Sequence, residues 1–423
     1  MHLGILVAAG YAIIIKLPFL SDDYAIIRLI TYPDWATTNW TEIFRDFYTP
    51  LFFHDASPFF RPMYVLSYGV NFALHGTWAA PYHLTNVVLH FFVSFFVYLV
   101  ALELAPERRR REIAITAGAI FALYPLHLEA VTWIAGRVDL ICAVFYFPAL
   151  LFSLRWLRTG RRLYLVLSLT FFVMSLLSKE MAVTLPGLFF VCAFYWRRSL
   201  VSTIIATLPF ALVMGAYLFV RAIVLSGVDP YGGSGRDLHL FASFWGLLYR
   251  TMHAFFPLNF GLLPTSWQSL TGFALVLLAV PLGVILVLAW RRGWNGGFLI
   301  LPLVLYLLTL APVFKFLKPD PLLLSSRWFY IPSGLLAIFI AGLLWSVFGE
   351  RGRSASFISV IVCGAFLTIL LVNQGPWLRA GEIAEEHLRT GKNPGMGLKY
   401  EGAHVFGAKI TWIAANSPPF EKP

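Results

Sequence analysis

The sequence predicts an all-α polytopic membrane protein, and its composition, its long apolar segments and its charge distribution are the observations that predict it. Hydrophobic residues make up 59% of the 423 positions and charged residues only 13%, with a mean hydropathy of +0.75. This balance excludes a soluble globular domain. A β-barrel is also excluded, because it would show short alternating strands instead of long apolar segments.

Apolar segments long enough to cross a bilayer recur about eleven times along the chain. A transmembrane helix needs roughly 20 apolar residues, although the segment that starts at Ile113 is shorter. The predicted spans are 3–20, 83–103, 112–127, 138–157, 163–179, 182–197, 200–224, 270–290, 297–314, 328–348 and 355–373. Residues 1–373 then form one transmembrane domain, and residues 374–423 form a short tail.

The basic residues fall largely in short clusters between these spans. The clusters are Arg108–Arg111, Arg158 with Arg161 and Arg162, Arg197 with Arg198, Arg291 with Arg292, and Arg351 with Arg353. All of them lie on one side under this assignment, and the positive-inside rule makes that side cytoplasmic. We therefore interpret the net charge of +11 as a topology signal and expect no nucleic-acid partner. The tail is then extracytoplasmic.

Two further apolar segments, 61–76 and about 240–260, would break this alternation if they were spans. The first interleaves apolar residues with polar ones, which is typical of a helix that lies in the membrane interface. We give the second segment the same interpretation. The first interfacial helix belongs to the first extracytoplasmic loop, residues 21–82.

The remaining charged residues gather at the external ends of the spans. Asp22 and Asp23 directly follow the first span. An uncompensated carboxylate at membrane depth is energetically costly, so two of them together suggest a function. The others are Arg61, His83, Asn86, His90, His127, Glu129, Arg137, Asp139, Lys179, Glu180, Lys315, Lys318 and Arg327. Their convergence on one side of the membrane is expected of an extracytoplasmic active site that faces an anionic substrate.

Structural interpretations of these polar residues stay open. His83, Asn86 and His90 have i, i+3, i+7 spacing and so share one helical face, which suits hydrogen bonding between helices as well as ligand contact. The histidines include no HExxH-like pair, so the sequence supports a zinc site only weakly. A divalent metal cofactor therefore stays an open expectation.

The charged pairs have a structural interpretation too. Arg137 and Asp139 are as consistent with an ion pair at a helix end as with substrate binding, and the same holds for Lys179 and Glu180. Asp23 is equally consistent with an amino-terminal cap of the next short helix.

Several short motifs follow one another in a defined order along the chain. They are Ser21-Asp-Asp-Tyr24, Phe60-Arg-Pro-Met63, Tyr82-His-Leu-Thr-Asn-Val-Val-Leu-His90, Phe121-Ala-Leu-Tyr-Pro-Leu-His-Leu-Glu-Ala130, Gly136-Arg-Val-Asp-Leu140, Ser178-Lys-Glu180 and Ser326-Arg-Trp-Phe-Tyr-Ile-Pro332. The ordered series resembles the transmembrane O-mannosyltransferases that carry TPR repeats, over roughly residues 1–390. More broadly, the chain is similar to GT-C-type glycosyltransferases, which include protein O-mannosyltransferases and the lipid A aminoarabinose transferases.

The resemblance implies a GT-C-type fold and an inverting sugar transfer outside the bacterial inner membrane or in the ER lumen. The sugar, with mannose as the first candidate, would pass from a polyprenyl-phosphate donor to an acceptor hydroxyl. Asp22, which matches the first Asp of the family motif, would be the base, and Asp23 would orient or assist it. The candidates for the donor phosphate are Arg327, Lys179 and Arg137, with His83, Asn86 and His90 lining its approach. Also assigned to substrate binding are Arg61, His127, Glu129, Asp139 and Glu180.

One departure from that family concerns the acceptor. The family carries a long TPR array after the membrane region, whereas residues 377–423 have room for one helical pair. About three repeats are needed to bury a solenoid core. The acceptor therefore stays open among a protein, a lipid and a glycan, and membrane lipids are the remaining expected partners.

A transporter or flippase of lipid-linked sugars is the alternative function. Such a protein would place charges along a pathway near the bilayer midplane and would show inverted repeats. Here the polar residues crowd at one surface, and the two halves of the sequence look unrelated. These observations favour the enzyme. A scaffold that kept only the fold is a third class, but it would be expected to lack Asp22 and Asp23.

Overall fold

Every regular element that the computed structural model describes is a helix. The described residues are 2–20, 22–31, 37–47, 59–197, 199–225, 240–255, 257, 283, 296–316, 326–349 and 352–389. The α-helices are α1 (His2–Tyr11), α2 (Asp22–Thr31), α3 (Trp40–Arg45), α4 (Pro62–His75), α5 (Ala79–Leu104), α6 (Arg110–Ala122), α7 (Leu128–Thr132), α8 (Arg137–Thr159), α9 (Arg162–Leu176), α10 (Leu185–Arg197), α11 (Leu200–Leu225), α12 (Leu240–Phe255), α13 (Gly296–Thr309), α14 (Tyr330–Phe348), α15 (Gly352–Asn373) and α16 (Gly375–Arg389). Short 3-10 helices cover Ala12–Lys16, Glu107–Arg109, Pro125–His127, Ile134–Gly136, Glu180–Thr184, Ala311–Phe316 and Ser326–Phe329. The predicted all-α class is confirmed for these residues.

Five helical segments of the described chain are long and apolar enough to cross a membrane. They are Ala79–Leu104, Ile134–Thr159, Leu200–Leu225, Ser326–Phe348 and Ser354–Glu386. A bent pair, Glu107–Ala122 with Pro125–Thr132, makes a sixth candidate. These segments support a multi-pass membrane protein, while the count of about eleven spans stays a prediction. The predicted span 270–290 lies, apart from Gly283, outside the described residues.

Several predicted spans are shorter in the structure, and the sequence explains one of the early endings. The predicted span 112–127 stops at Ala122, because Pro125 has no N–H to donate and disfavours helical backbone in the residue before it. The predicted span 3–20 forms α1 and then a 3-10 helix that ends at Lys16. The helix predicted for 163–179 ends at Leu176, which leaves Lys179 outside it.

The centre of the bundle is formed by α8 and α14, which are the most buried long helices of the described chain. They approach closely at Gly334, where a Cβ atom would lie only 2.4 Å from Cζ of Phe147. Both helices begin beside the same cavity, which is lined by Ala135 and Val138 at the start of α8 and by Arg327 and Trp328 just before α14. These two helix starts form part of the candidate site.

The segments expected to be interfacial are both helical. Arg61 is the N-cap residue of α4, Pro62 is its first residue, and Gly76 ends it with a φ of 56°, a conformation that glycine adopts without strain. Next to it, Ile43 of α3 packs against Gly69, where a Cβ atom would lie 2.3 Å from Cδ1 of Ile43. The second segment forms α12. Their placement on the outer leaflet stays a prediction.

Candidate functional site

A cavity of about 310 Å³ lies where segments distant in the sequence meet. It is lined by Asp22, Ile26, Phe59, Arg61, Tyr64, Trp133, Ala135, Val138, Lys179, Arg327 and Trp328. Four of the charged residues predicted from the sequence, one carboxylate and three cations, therefore share one cavity.

The two neighbouring aspartates have different environments. Asp22 is the first residue of α2 and is exposed toward the cavity, whereas Asp23 is fully buried. Successive residues of a helix point about 100° apart, so only the first of the pair lines the cavity. Asp22 is therefore the carboxylate that a substrate can reach.

Asp23 ties the start of α2 to its surroundings. Its two carboxylate oxygens accept hydrogen bonds from the backbone N–H of Leu20 at 2.9 Å and of Ala135 at 2.7 Å. The Tyr68 hydroxyl donates to it at 3.3 Å. Asp23 is not the N-cap residue of α2, because it lies inside the first helical turn. Its side chain accepts a hydrogen bond from the backbone of Leu20, which precedes the helix. Asp23 therefore anchors the first turn of α2, in which Asp22 also lies.

Burial also changes the acidity of Asp23. Loss of hydration, with a smaller contribution from the negative charge of Asp22, raises the pKa of Asp23 to about 7. The backbone N–H groups of Leu20 and Ala135 and the charge of Arg137 oppose this rise. The carboxyl group of Asp23 therefore changes its protonation state near neutral pH.

A carboxylate holds each of the three cations at the cavity. Arg61 makes a two-pronged contact with Glu180, with Nη2–Oε2 at 2.7 Å and Nε–Oε1 at 3.3 Å. Lys179 donates from Nζ to Oδ1 of Asp139.

The third cation, Arg327, is held twice by Glu129. Its Nε lies 3.6 Å from Oε1 of that carboxylate, and its backbone N–H donates to Oε2 at 3.1 Å. The Ser326 hydroxyl donates to the same Oε2 at 3.2 Å. Each ion pair at the cavity thus joins segments that are far apart in the sequence.

These pairings correct the ion pairs expected from the sequence. Lys179 has extended backbone, so its side chain and that of Glu180 point to opposite sides. Arg137 and Asp139 lie two positions apart in α8 and do not face each other on a helix. Neighbours in sequence therefore take partners from other elements.

Glu180 is also approached by a residue that the sequence interpretation missed. Nη2 of Arg221, near the end of α11, lies 3.9 Å from Oε1 of Glu180. Burial opposes ionisation of Glu180, but Arg61, with help from Arg221, holds the pKa of Glu180 below its ordinary value. Arg221 could have been noticed in the sequence, because it is the one charged residue inside the apolar segment 200–224.

Aromatic side chains on the cavity wall were missed as well. The Arg61 guanidinium lies 3.9 Å from the centre of the Phe59 ring, and the Arg327 guanidinium lies 5.0 Å from the Trp133 ring. Indole Nε1 of Trp133 donates to the carbonyl of Leu20 at 3.3 Å. The rings thus support the cations and the segment that leads to α2. Phe59 could have been found from its position two residues before Arg61, whereas Trp133 lies far from Arg327 in the sequence and gave no such signal.

Arg137 does not line the cavity. It is fully buried, and its guanidinium donates to Oδ1 of Asn86 at 2.8 Å, to Oδ1 of Asn71 at 2.5 Å and to the carbonyl of Tyr82 at 2.8 Å. Asn86 in turn donates to backbone carbonyls of residues 131 and 133, both at 3.2 Å. These two predicted site residues hold together the wall behind the cavity.

His90 and His127 hold helices together. His90 donates from Nε2 to the carbonyl of Ala122 at 3.1 Å, and its Nδ1 lies 2.7 Å from the Tyr330 hydroxyl. Because a carbonyl can only accept, Nε2 carries a proton in this contact, and in the neutral ring Nδ1 accepts from the Tyr330 hydroxyl. His127 contacts the Ser333 hydroxyl at 2.6 Å through Nε2. These contacts match the structural interpretation offered for His90.

His83 is buried in α5 and also lies outside the cavity lining. Within the described parts of the chain, no group of three or more His, Cys, Asp or Glu residues could hold a metal ion. The divalent metal stays an untested expectation. Lys318 lies outside the described residues, as does the side chain of Lys315.

Sequence comparison finds similarity to protein O-mannosyl-transferases. The chain is 38% identical over 141 residues to Tmtc1 of Drosophila melanogaster, 29% identical over 147 residues to TMTC4 of Homo sapiens, and 30% identical over 221 residues to TMTC2 of Homo sapiens. The matches cover 33%, 30% and 49% of this chain, but only 16%, 20% and 23% of those relatives. The chain thus spans less than a quarter of these relatives in the matched regions. The predicted resemblance is confirmed.

Two further comparisons complete this result. No protein-family model matches the chain. Among solved structures, it is similar to ArnT from Cupriavidus metallidurans bound to undecaprenyl phosphate, with a TM-score of 0.45 and 13% identity over 92% of this chain and 72% of that chain. The apo form of the same protein gives a TM-score of 0.43 and 16% identity.

Proposed function

We propose that this chain is an integral-membrane glycosyltransferase that moves a sugar from a polyprenyl-phosphate donor to an acceptor hydroxyl with inversion. The observation that carries the proposal is the cavity in which exposed Asp22 faces the three cations Arg61, Lys179 and Arg327. Sequence similarity to protein O-mannosyl-transferases supports the reaction class and makes mannose the first sugar to test.

Asp22 is the proposed general base. A hydroxyl is a poor nucleophile at neutral pH, so a carboxylate must take its proton as the oxygen attacks. The new bond joins the acceptor oxygen to the anomeric carbon, and the bond from that carbon to the phosphate oxygen breaks. The electron pair of the broken bond stays on the lipid phosphate. Attack from the face opposite the phosphate inverts the anomeric centre.

The three cations are the proposed binding site for the lipid phosphate. Charge develops on the leaving phosphate oxygen, and fixed positive groups stabilise it most in a site with little water. A guanidinium offers five N–H donors in a planar fork that matches phosphate geometry, so one carboxylate partner does not exhaust it. Glu180, Asp139 and Glu129 hold the cations in place before substrate arrives.

The helix that borders the cavity supports an extracytoplasmic site. α8 begins beside the cavity and runs for 23 residues to Thr159, which corresponds to about 34 Å at 1.5 Å per residue. That length matches the hydrocarbon core of a bilayer. The cluster Arg158, Arg161 and Arg162 lies at the far end, where the positive-inside rule predicts cytoplasm. The cavity then faces the other side, as proposed.

The test is sugar transfer by the purified protein in lipid, with polyprenyl-phosphate mannose as donor and a panel of hydroxyl acceptors. Asp22→Ala should lower kcat by about 10²- to 10⁴-fold, since it removes the base. Donor KM should change little, because the cations remain. Glu107→Ala, at an exposed carboxylate beside the arginine cluster at Arg108–Arg111, is the matched control and should behave as the unmodified chain.

Full activity in the Asp22→Ala variant would overturn the base assignment. Movement of intact lipid-linked sugar across vesicles, without transfer, would instead favour the flippase. The position of the cavity beside the start of α8, and not at its middle, favours the enzyme.

A further inference from the structure

We propose that α16 is a positioning element for Asp22, and that Gly381 is the residue through which it acts. The helix presses on Leu17 and Pro18, just before α2, and so fixes the direction from which the carboxylate enters the cavity. The kinetic test of this inference rests on the proposed function, whereas the thiol-labelling test does not.

The contact at Gly381 is tight. Gly381 is buried, and a Cβ atom there would lie 2.7 Å from Cδ2 of Leu17 and 3.1 Å from Cδ of Pro18. Carbon atoms in favourable contact are about 3.5–4.0 Å apart. The backbone of α16 therefore lies directly on the side chains of Leu17 and Pro18, and a side chain at position 381 would have to displace them. Trp377 and Ala384, on the same face of the helix, are buried as well.

A second contact anchors the start of α16. The side-chain amide of Gln374, just before the helix, donates to the carbonyl of Gly10 in α1, and Gln374 is buried. Near it, Leu370 at the end of α15 packs on Gly10, where a Cβ atom would lie 2.9 Å from Cδ2 of that leucine. Contacts just before α16 and in its middle therefore fix it to the amino-terminal segment.

The segment under α16 cannot absorb a displacement easily. Leu17 is extended, with φ −71° and ψ 144°, and the residue before a proline is restricted to such conformations. The ring of Pro18 fixes its own φ. A shift imposed at this point is therefore transmitted along the chain.

The opposite side of the segment is attached to the cavity wall. Leu20 accepts a hydrogen bond from Nε1 of Trp133 and donates its N–H to Asp23. The Phe19 ring lies against Tyr82, with centroids 5.0 Å apart. The segment is thus enclosed between α16 and the wall, and its position sets the first turn of α2.

Gly381→Leu in the full chain should lower kcat by about 10- to 100-fold, because small misplacements of a catalytic group are that costly. Donor KM should stay unchanged, since the cations are held by carboxylates on other elements. The matched control is Glu382→Leu, the next residue of the same helix, which is exposed. It should leave both constants unchanged.

A rescue experiment separates positioning from loss of fold. Gly381→Ala should lower kcat, and Leu17→Ala in the same chain should restore it, because Cδ2 of Leu17 is the nearest atom that the new methyl group meets. If Gly381→Leu fails to fold, this pair decides the question. Equal loss with and without Leu17→Ala would overturn the proposal.

A thiol-labelling experiment works even if no sugar is transferred. In a chain whose three cysteines are replaced by alanine, Asp22→Cys reports the accessibility of position 22 to a water-soluble maleimide. Gly381→Leu should change the labelling rate several-fold, and Glu382→Leu should not. If the unmodified chain transfers no sugar, the proposed function is refuted but the positioning role of α16 is not. Unchanged labelling, like unchanged kcat, refutes the positioning role.

Discussion

Asp22 and Asp23 are adjacent in sequence, yet the protein uses their carboxylates differently. Asp22 lines the cavity, while Asp23 is buried and accepts three hydrogen bonds from surrounding groups. Both of its oxygens face N–H donors, so an amide, which carries an NH2 group, cannot replace it without conflict. The buried member of the pair thus anchors the helical turn that carries the exposed member.

The acidity of Asp23 predicts a pH dependence of stability. Its pKa in the folded protein is about 7, against about 3.9 in an unfolded chain. Between these values the folded state binds more protons than the unfolded state, so stability falls as pH rises from about 4 to about 7. The loss amounts to at most about 4 kcal/mol.

Thermal unfolding in detergent at pH 5 and pH 8 would measure this effect, with intrinsic tryptophan fluorescence as the signal. Asp23→Asn should flatten the dependence. Burial also raises the pKa of Asp46 to about 7, so only the difference between the two chains reports on Asp23. The same slope in both chains would contradict the prediction.

At the scale of elements, the wall behind the cavity depends on one buried guanidinium. Arg137 in α8 donates to Asn71 of α4 and to Asn86 of α5. Arg137→Ala would leave several buried acceptors without donors and should destabilise the protein by about 3 kcal/mol or more. Arg158→Ala removes a partly exposed ion pair at the other end of the same helix. It should lower the free energy of unfolding by no more than about 1 kcal/mol.

Measuring the donor KM distinguishes this structural role of Arg137 from the contact with the donor phosphate that was expected from the sequence. Below its unfolding temperature, the Arg137→Ala variant should keep its donor KM, because Arg137 does not line the cavity. A raised KM together with unchanged unfolding would restore the phosphate assignment.

The sequence was sufficient to include the four charged residues of the cavity in one larger candidate set, but it did not separate them from Arg137 and did not give their partners. Asp22, Arg61, Lys179 and Arg327 could be predicted because charged groups must leave the lipid at the same surface. The ion pairs could not, since they depend on which helices approach each other in three dimensions. The burial of Arg137 could not be predicted either, because its motif is the same whether the guanidinium faces a ligand or the protein interior.

At the scale of the whole molecule, the arrangement predicts an orientation in the membrane. In the cysteine-free chain, Glu382→Cys should react with an impermeant thiol reagent added from outside, because α16 follows the last predicted span. Thr159→Cys, beside the arginine clusters, should react only after the membrane is opened. Reversed labelling would place the cavity on the cytoplasmic side.

The carboxylates behind the three cations have a consequence for turnover. The proposed reaction converts a donor phosphodiester with one negative charge into a lipid phosphate monoester with a charge of about −1.5 to −2. A site of bare cations would hold this product more tightly than the donor and would retain it. Glu180, Asp139 and Glu129 offset part of the charge of the cations, so the product would be held less tightly than by bare cations. In the proposed reaction, the same ion pairs that hold the cations in place would therefore also ease release of the lipid phosphate.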